Sequence, residues 1–189
     1  MKGYFNIQPV QYKPKITWDV SKVLNYISSL YPLQSLCLKL LTFKLITLVA
    51  LPTAAKLWQH STCVLCLSIM TMYVLIHVHC YKTSRPGRQN PRVVLSMFDN
   101  PRLCVVTTLK EYVKRTINLR KSSLLFVSFI TYQAVCTGTL ATWLKYMLPL
   151  SGIDSSFTAR SFRSASTSYA FNRGVPPLGF STNILQALL

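Results

Sequence analysis

From 61 to 80 the chain runs for 20 residues without a Lys, Arg, Asp or Glu. A helix of that length would be long enough to cross a bilayer, which takes roughly 20 apolar residues. The second half of the stretch has a different period. Val74, Ile76, Val78 and Cys80 fall on one side, and Tyr73, Leu75, His77 and His79 on the other. Alternation of period two, rich in β-branched residues, predicts a strand with one buried face. The preceding apolar run, 36–51, is broken by Lys39 and Lys44 and stopped by Pro52. These patterns favour a domain with its own core, and a small membrane protein with a span near 61–80 is the alternative.

Helical periods dominate elsewhere. Thr17 can cap a helix running to about residue 29, with Val20, Val23, Leu24 and Ile27 on one face. Tyr31-Pro32 breaks it, and a second helix is expected over 35–50 with Lys39 and Lys44 at or near solvent. Two or three strands are expected between 63 and 95, joined by a turn-forming stretch at 82–88. Helical spacing returns at 103–117, at 137–148 ahead of Pro149, and at 161–172 ahead of Gly174. A short apolar run at 124–130 is strand or extended chain. The predicted class is mostly α with a small antiparallel β-sheet (α+β), in one domain with a linker before it at 1–16.

Charge narrows the function classes. Only Asp19, Asp99, Glu111 and Asp154 offset 21 Lys and Arg, for a net charge of +17. Such a field favours nucleic acid or an anionic membrane surface. A ribosomal-type protein and a translated pseudogene are the bland alternatives. Six cysteines lie scattered, mostly within apolar runs, and the first residues lack the apolar core of a secretory signal. Reduced, buried thiols in a nuclear or cytoplasmic protein fit better than a disulfide framework.

Few residue sets resemble chemistry. Arg160 and Arg163 are three apart on a predicted helix, so they share a face and can both donate to one phosphate. A solvated basic face is the competing explanation. Lys82 sits where a strand meets a basic turn holding Arg85 and Arg88, and a lysine there can act as a general acid or be an ordinary turn residue. Cys63-x-x-Cys66 with His77, His79 and Cys80 has metal-binding residue types, but at spacings that match no common ligand set, so no metal is expected. There is no glycine-rich phosphate loop, nucleophile elbow or carboxylate pair, hence no cofactor and no small-molecule substrate is expected.

The ordered strings Met1-Lys-Gly-Tyr-Phe-Asn, Thr17-Trp-Asp-Val-Ser-Lys-Val-Leu, Leu41-Thr-Phe-Lys-Leu, Lys82-Thr-Ser-Arg-Pro-Gly-Arg and Leu103-Cys-Val-Val-Thr-Thr-Leu-Lys-Glu-Tyr carry a resemblance. It continues through Leu119-Arg-Lys-Ser, Leu125-Phe-Val-Ser, Trp143-Leu-Lys, Gly152-Ile-Asp and Arg163-Ser-Ala-Ser-Thr-Ser. Over almost its whole length the chain resembles the catalytic domain of tyrosine recombinases, the phage-integrase-like DNA breaking–rejoining enzymes, in the form carried by invertebrate mobile elements. That family uses an early arginine, a hairpin lysine, a His-x-x-Arg helix, a later His or Trp, and a tyrosine that becomes joined to the DNA 3′-phosphate.

Carried over by position, the resemblance gives Lys82 as the hairpin lysine and Arg163 as the arginine of His-x-x-Arg. Arg160 stands where the histidine is expected, and Lys56 stands where the early arginine should follow Thr53-Ala54-Ala55. No tyrosine follows Tyr169, which lies only six residues past Arg163. The resemblance therefore implies a recombinase catalytic-like domain over 17–175, a divergent tail at 176–189, and a fold incomplete at its C-terminus and lacking the core-binding domain before it. The function it implies is double-stranded DNA binding related to DNA integration and recombination. The expected state is catalytically inactive and nuclear, with a homo-oligomer on DNA among the expected assemblies.

Overall fold

The computed structural model describes residues 17–52, 66–69, 73–77, 93–122 and 124–174, with backbone alone for 66–69, 73–77 and 93–95. The described chain is mostly helical. Its five α-helices are α1 (Val20–Ser29), α2 (Leu38–Ala50), α3 (Val105–Thr116), α4 (Thr137–Leu150) and α5 (Ser161–Asn172). Three short segments, β1 (Cys66–Ile69), β2 (Tyr73–His77) and β3 (Val93–Ser96), pair antiparallel in that order. Cys66 lies opposite His77, and Tyr73 opposite Ser96. The linker at 1–16, the turn at 82–88 and the tail at 176–189 lie outside the described residues, as do the side chains of Cys63, Cys66, His77, His79 and Cys80.

α2 is the centre of the helical core. From Leu41 to Ala50 every residue is buried, because α3 and α4 both pack against this helix. Each leucine so enclosed contributes about 1.5–3 kcal/mol of transfer free energy. The two threonines within it are satisfied locally: the Thr42 hydroxyl donates to the Leu38 carbonyl and that of Thr47 to Phe43, each at 2.7 Å. Phe43 reaches out to Trp143 of α4 and to Phe129, with ring centroids 6.0 and 6.2 Å away.

The other helices bury one stripe each. α1 turns Val20, Val23, Leu24 and Ile27 inward, the i, i+3, i+4, i+7 pattern of an amphipathic helix. Its cap is Asp19, whose carboxylate accepts the Ser21 N–H at 2.9 Å, and not the expected Thr17. Asp19 sits immediately before the first helical residue, where a side-chain oxygen reaches the N2 amide, and Thr17 is two residues too early. α3 buries Val105, Val106, Leu109 and Tyr112. α4 buries Trp143, Leu144, Met147 and Leu148 and runs two residues further than its period predicts, taking Pro149 inside. Gly152, at φ +73°, turns the chain away after it. α5 buries Phe162, Ala165, Ser166 and Ala170 and is followed by Gly174 at φ +77°.

No helix among the described residues is long and apolar enough to cross a membrane. Two of the three described cysteines, Cys37 and Cys136, are exposed and one, Cys104, is buried. This corrects the expectation of buried thiols: Cys37 and Cys136 stand just ahead of α2 and α4, at helix entries and not in the apolar stripes.

Candidate nucleic-acid interface

Arg160 and Arg163 meet on one turn. Arg160 is the residue that opens α5, and its backbone is already helical at φ −66° and ψ −28°. Arg163 therefore lies one turn further along the same face. Both are exposed, and neither guanidinium has a hydrogen-bond or ion-pair partner among the described residues. The first turn of α5 contains no acid. Asp154, six residues before Arg160, is bound to its own turn: it accepts the Ser156 N–H at 2.8 Å, and hydrogen bonds from Ser156 hold its carboxyl below the usual range.

Two cations at this position oppose the helix dipole, whose positive end is the N-terminus. The backbone amides do not add to the site. The N–H groups of Ser161, Phe162 and Arg163 already donate to the carbonyls of Thr158, Ala159 and Arg160 at 2.9, 3.3 and 3.3 Å. An anion bound here would be held by the guanidiniums, in the fork geometry that suits phosphate oxygens.

The other residues carried over from the resemblance, Lys56, Lys82, Arg85 and Arg88, lie outside the described residues. Tyr169 is on α5, half-buried, with its hydroxyl taking a hydrogen bond from Ser21 at 3.4 Å. Arg173 ends the same helix and stacks on the Tyr169 ring, 4.8 Å from its centroid.

Several cations that composition assigns to the surface are engaged by backbone oxygens. Lys44, expected at or near solvent, is fully buried and donates to the Leu30 carbonyl at 2.7 Å. That carbonyl lies at the C-terminal end of α1, where a cation complements the dipole. Burial, with the Arg102 charge adding to it, lowers the Lys44 pKa to about 8. Arg115 donates to the carbonyls of Leu33, Gln34 and Leu36 at 2.6–2.8 Å while its Nε pairs with Glu111 at 2.7 Å. Arg120 donates to the carbonyls of Leu124 and Leu125 and to the Thr116 hydroxyl. These three side chains bind backbone oxygens and are not free to bind phosphates, so the net charge of +17 overstates the donors offered to a polyanion.

The exposed Cys136 thiol at the start of α4 has its pKa lowered by the Thr139 hydroxyl, 3.3 Å from its sulfur. Among the described residues no three His, Cys, Asp or Glu side chains gather as a metal site. Comparison with known proteins adds no relative: no protein-family model, no curated protein and no solved structure matches the chain.

Proposed function

We propose that the protein binds double-stranded DNA as a tyrosine-recombinase-like catalytic domain, mostly α with a small antiparallel sheet, and acts in the nucleus without cutting the DNA. The observation that carries this reading is the acid-free turn at the start of α5, where two unpartnered arginines share a face. Such a turn is costly for an isolated domain and favourable once a phosphodiester occupies it. The choice of DNA over other polyanions rests on the resemblance read from the ordered strings alone.

The test is the salt dependence of duplex binding. With about five phosphates contacted, log K falls against log salt with a slope near −4 to −5. Arg163→Ala is expected to weaken binding about tenfold and to make the slope shallower by about 1. Arg173→Ala, at the far end of α5 and stacked on Tyr169, is expected to change affinity less than twofold by the same ~ scale. Affinity that does not respond to salt, or equal losses for the two variants, rejects the assignment.

No strand cleavage is expected of this chain. Recombination by this chemistry needs a covalent phosphotyrosyl link. Tyr169, on the same helix as Arg163, has its hydroxyl engaged by Ser21. It also lies about 9 Å along the helix axis from Arg163 and well around the helix from it, since six residues make about one and two-thirds turns. Incubation with nicked duplexes spanning mobile-element ends is expected to leave no denaturation-resistant protein–DNA adduct. An adduct that disappears when one tyrosine is changed to Phe rejects the inactive reading.

A further inference from the structure

The turn holding the two arginines has no side-chain cap of its own. It is fixed by a residue from the other end of the chain. The Trp18 indole N–H donates to the Ser161 hydroxyl oxygen at 2.7 Å, and that hydroxyl donates in turn to the Thr158 carbonyl at 2.6 Å. The indole also meets the Phe162 ring edge-on, with centroids 4.9 Å apart and planes at 74°. Ser161 and Phe162 are the two residues between Arg160 and Arg163. Trp18 is buried and immediately precedes Asp19, the cap of α1.

We propose that Trp18 is a positioning residue for the arginine pair, acting through the Ser161 hydroxyl. The proposal rests on the DNA-binding reading of that pair. Two long side chains grip one phosphate well only if the backbone beneath them is held in place before binding, because otherwise association must order it. The hydrogen-bond chain from indole to Ser161 to Thr158 locks the turn from below. It leaves both guanidiniums exposed.

Three variants separate positioning from bulk stability. Trp18→Phe keeps an aromatic ring against Phe162 and loses the N–H donor. Ser161→Ala loses the acceptor, and Ser161→Thr retains it. The expected result is that Trp18→Phe and Ser161→Ala each weaken duplex DNA binding about three- to tenfold, the loss of one hydrogen bond. Their double variant should bind like either single one, because the two changes break one link. Ser161→Thr should restore binding to within about twofold. In an Arg160→Ala/Arg163→Ala background, Trp18→Phe should have no further effect.

Wild-type affinity for Trp18→Phe, alongside weak binding by Arg163→Ala, overturns the positioning role and leaves the DNA-binding reading standing. An undiminished effect of Trp18→Phe in the double-arginine background shows a general structural role and also overturns it. Unchanged affinity for Arg163→Ala removes the DNA-binding assignment itself. If Trp18→Phe fails to fold, the pair Ser161→Ala and Ser161→Thr decides the question, since binding equal in both rejects the proposal.

Discussion

Arg115→Met is expected to lower unfolding free energy by about 2–3 kcal/mol, the range for hydrogen bonds that a charged donor makes in a part-buried corner. Three carbonyls in the corner between α1 and α2 converge on this one guanidinium, and Glu111 pairs with its Nε. Methionine preserves the aliphatic stem and removes all four contacts. Such a loss is a large part of a small domain's total stability of about 5–15 kcal/mol. Urea titration followed by circular dichroism measures it. The exposed Arg163→Ala variant is the control and is expected to stay within about 0.5 kcal/mol of wild type. A loss below about 1 kcal/mol for Arg115→Met would show that water replaces the guanidinium at these carbonyls.

Lys44 gives the second large effect, as a pH dependence. Its folded pKa of about 8 lies below the ordinary lysine value of 10.5, because burial disfavours the charged ammonium. Between these two values the unfolded chain binds the extra proton and the folded chain does not. Stability therefore rises with pH through this window, and below pH 8 the cost of burying the charge is fully present. The contribution from pH 8 to 9.5 is about 1.5 kcal/mol. Tyr112, raised by its own burial, acts with the opposite sign only above about pH 10 and stays out of this window. Lys44→Met removes the titrating group, so the difference between wild-type and variant stability curves should carry the slope. Parallel curves over pH 8–9.5 would show that Lys44 reaches water in the folded state.

The residues that made the helices legible are those with a clear period. Val20, Val23, Leu24 and Ile27 mark the buried face of α1, and the small-residue stretch ahead of Gly174 gives α5 its bounds. α2 was less legible because it is enclosed on all sides from Leu41 to Ala50. In such a helix no polar face exists, and a lysine within it suggests solvent when its partner is in fact the carbonyl at the end of α1. The same holds for Arg115 and Arg120. Their carbonyl partners are set by how turns fold back, and nothing in residue type distinguishes a clamp from a surface charge. At the candidate site, the three-residue spacing of Arg160 and Arg163 was enough to place them on one helical face. Trp18 was not legible as their support, since its link to Ser161 crosses 143 residues and follows no local pattern.

That long link, together with the Arg115 clamp, has a consequence during synthesis. The carbonyls at the corner of α1 and α2 are closed by a side chain made 79–82 residues later. At roughly 5–20 residues per second, a ribosome needs about 4–16 s to supply it. The Trp18 indole waits for a serine 143 residues downstream, about 7–29 s at the same elongation rate. The turn after α1 thus stays hydrated until Arg115 has emerged, and the entry to α1 stays unanchored until Ser161 follows. Chains released early keep an apolar α2 without the helices that cover it, and these are the species that chaperones or proteases meet first.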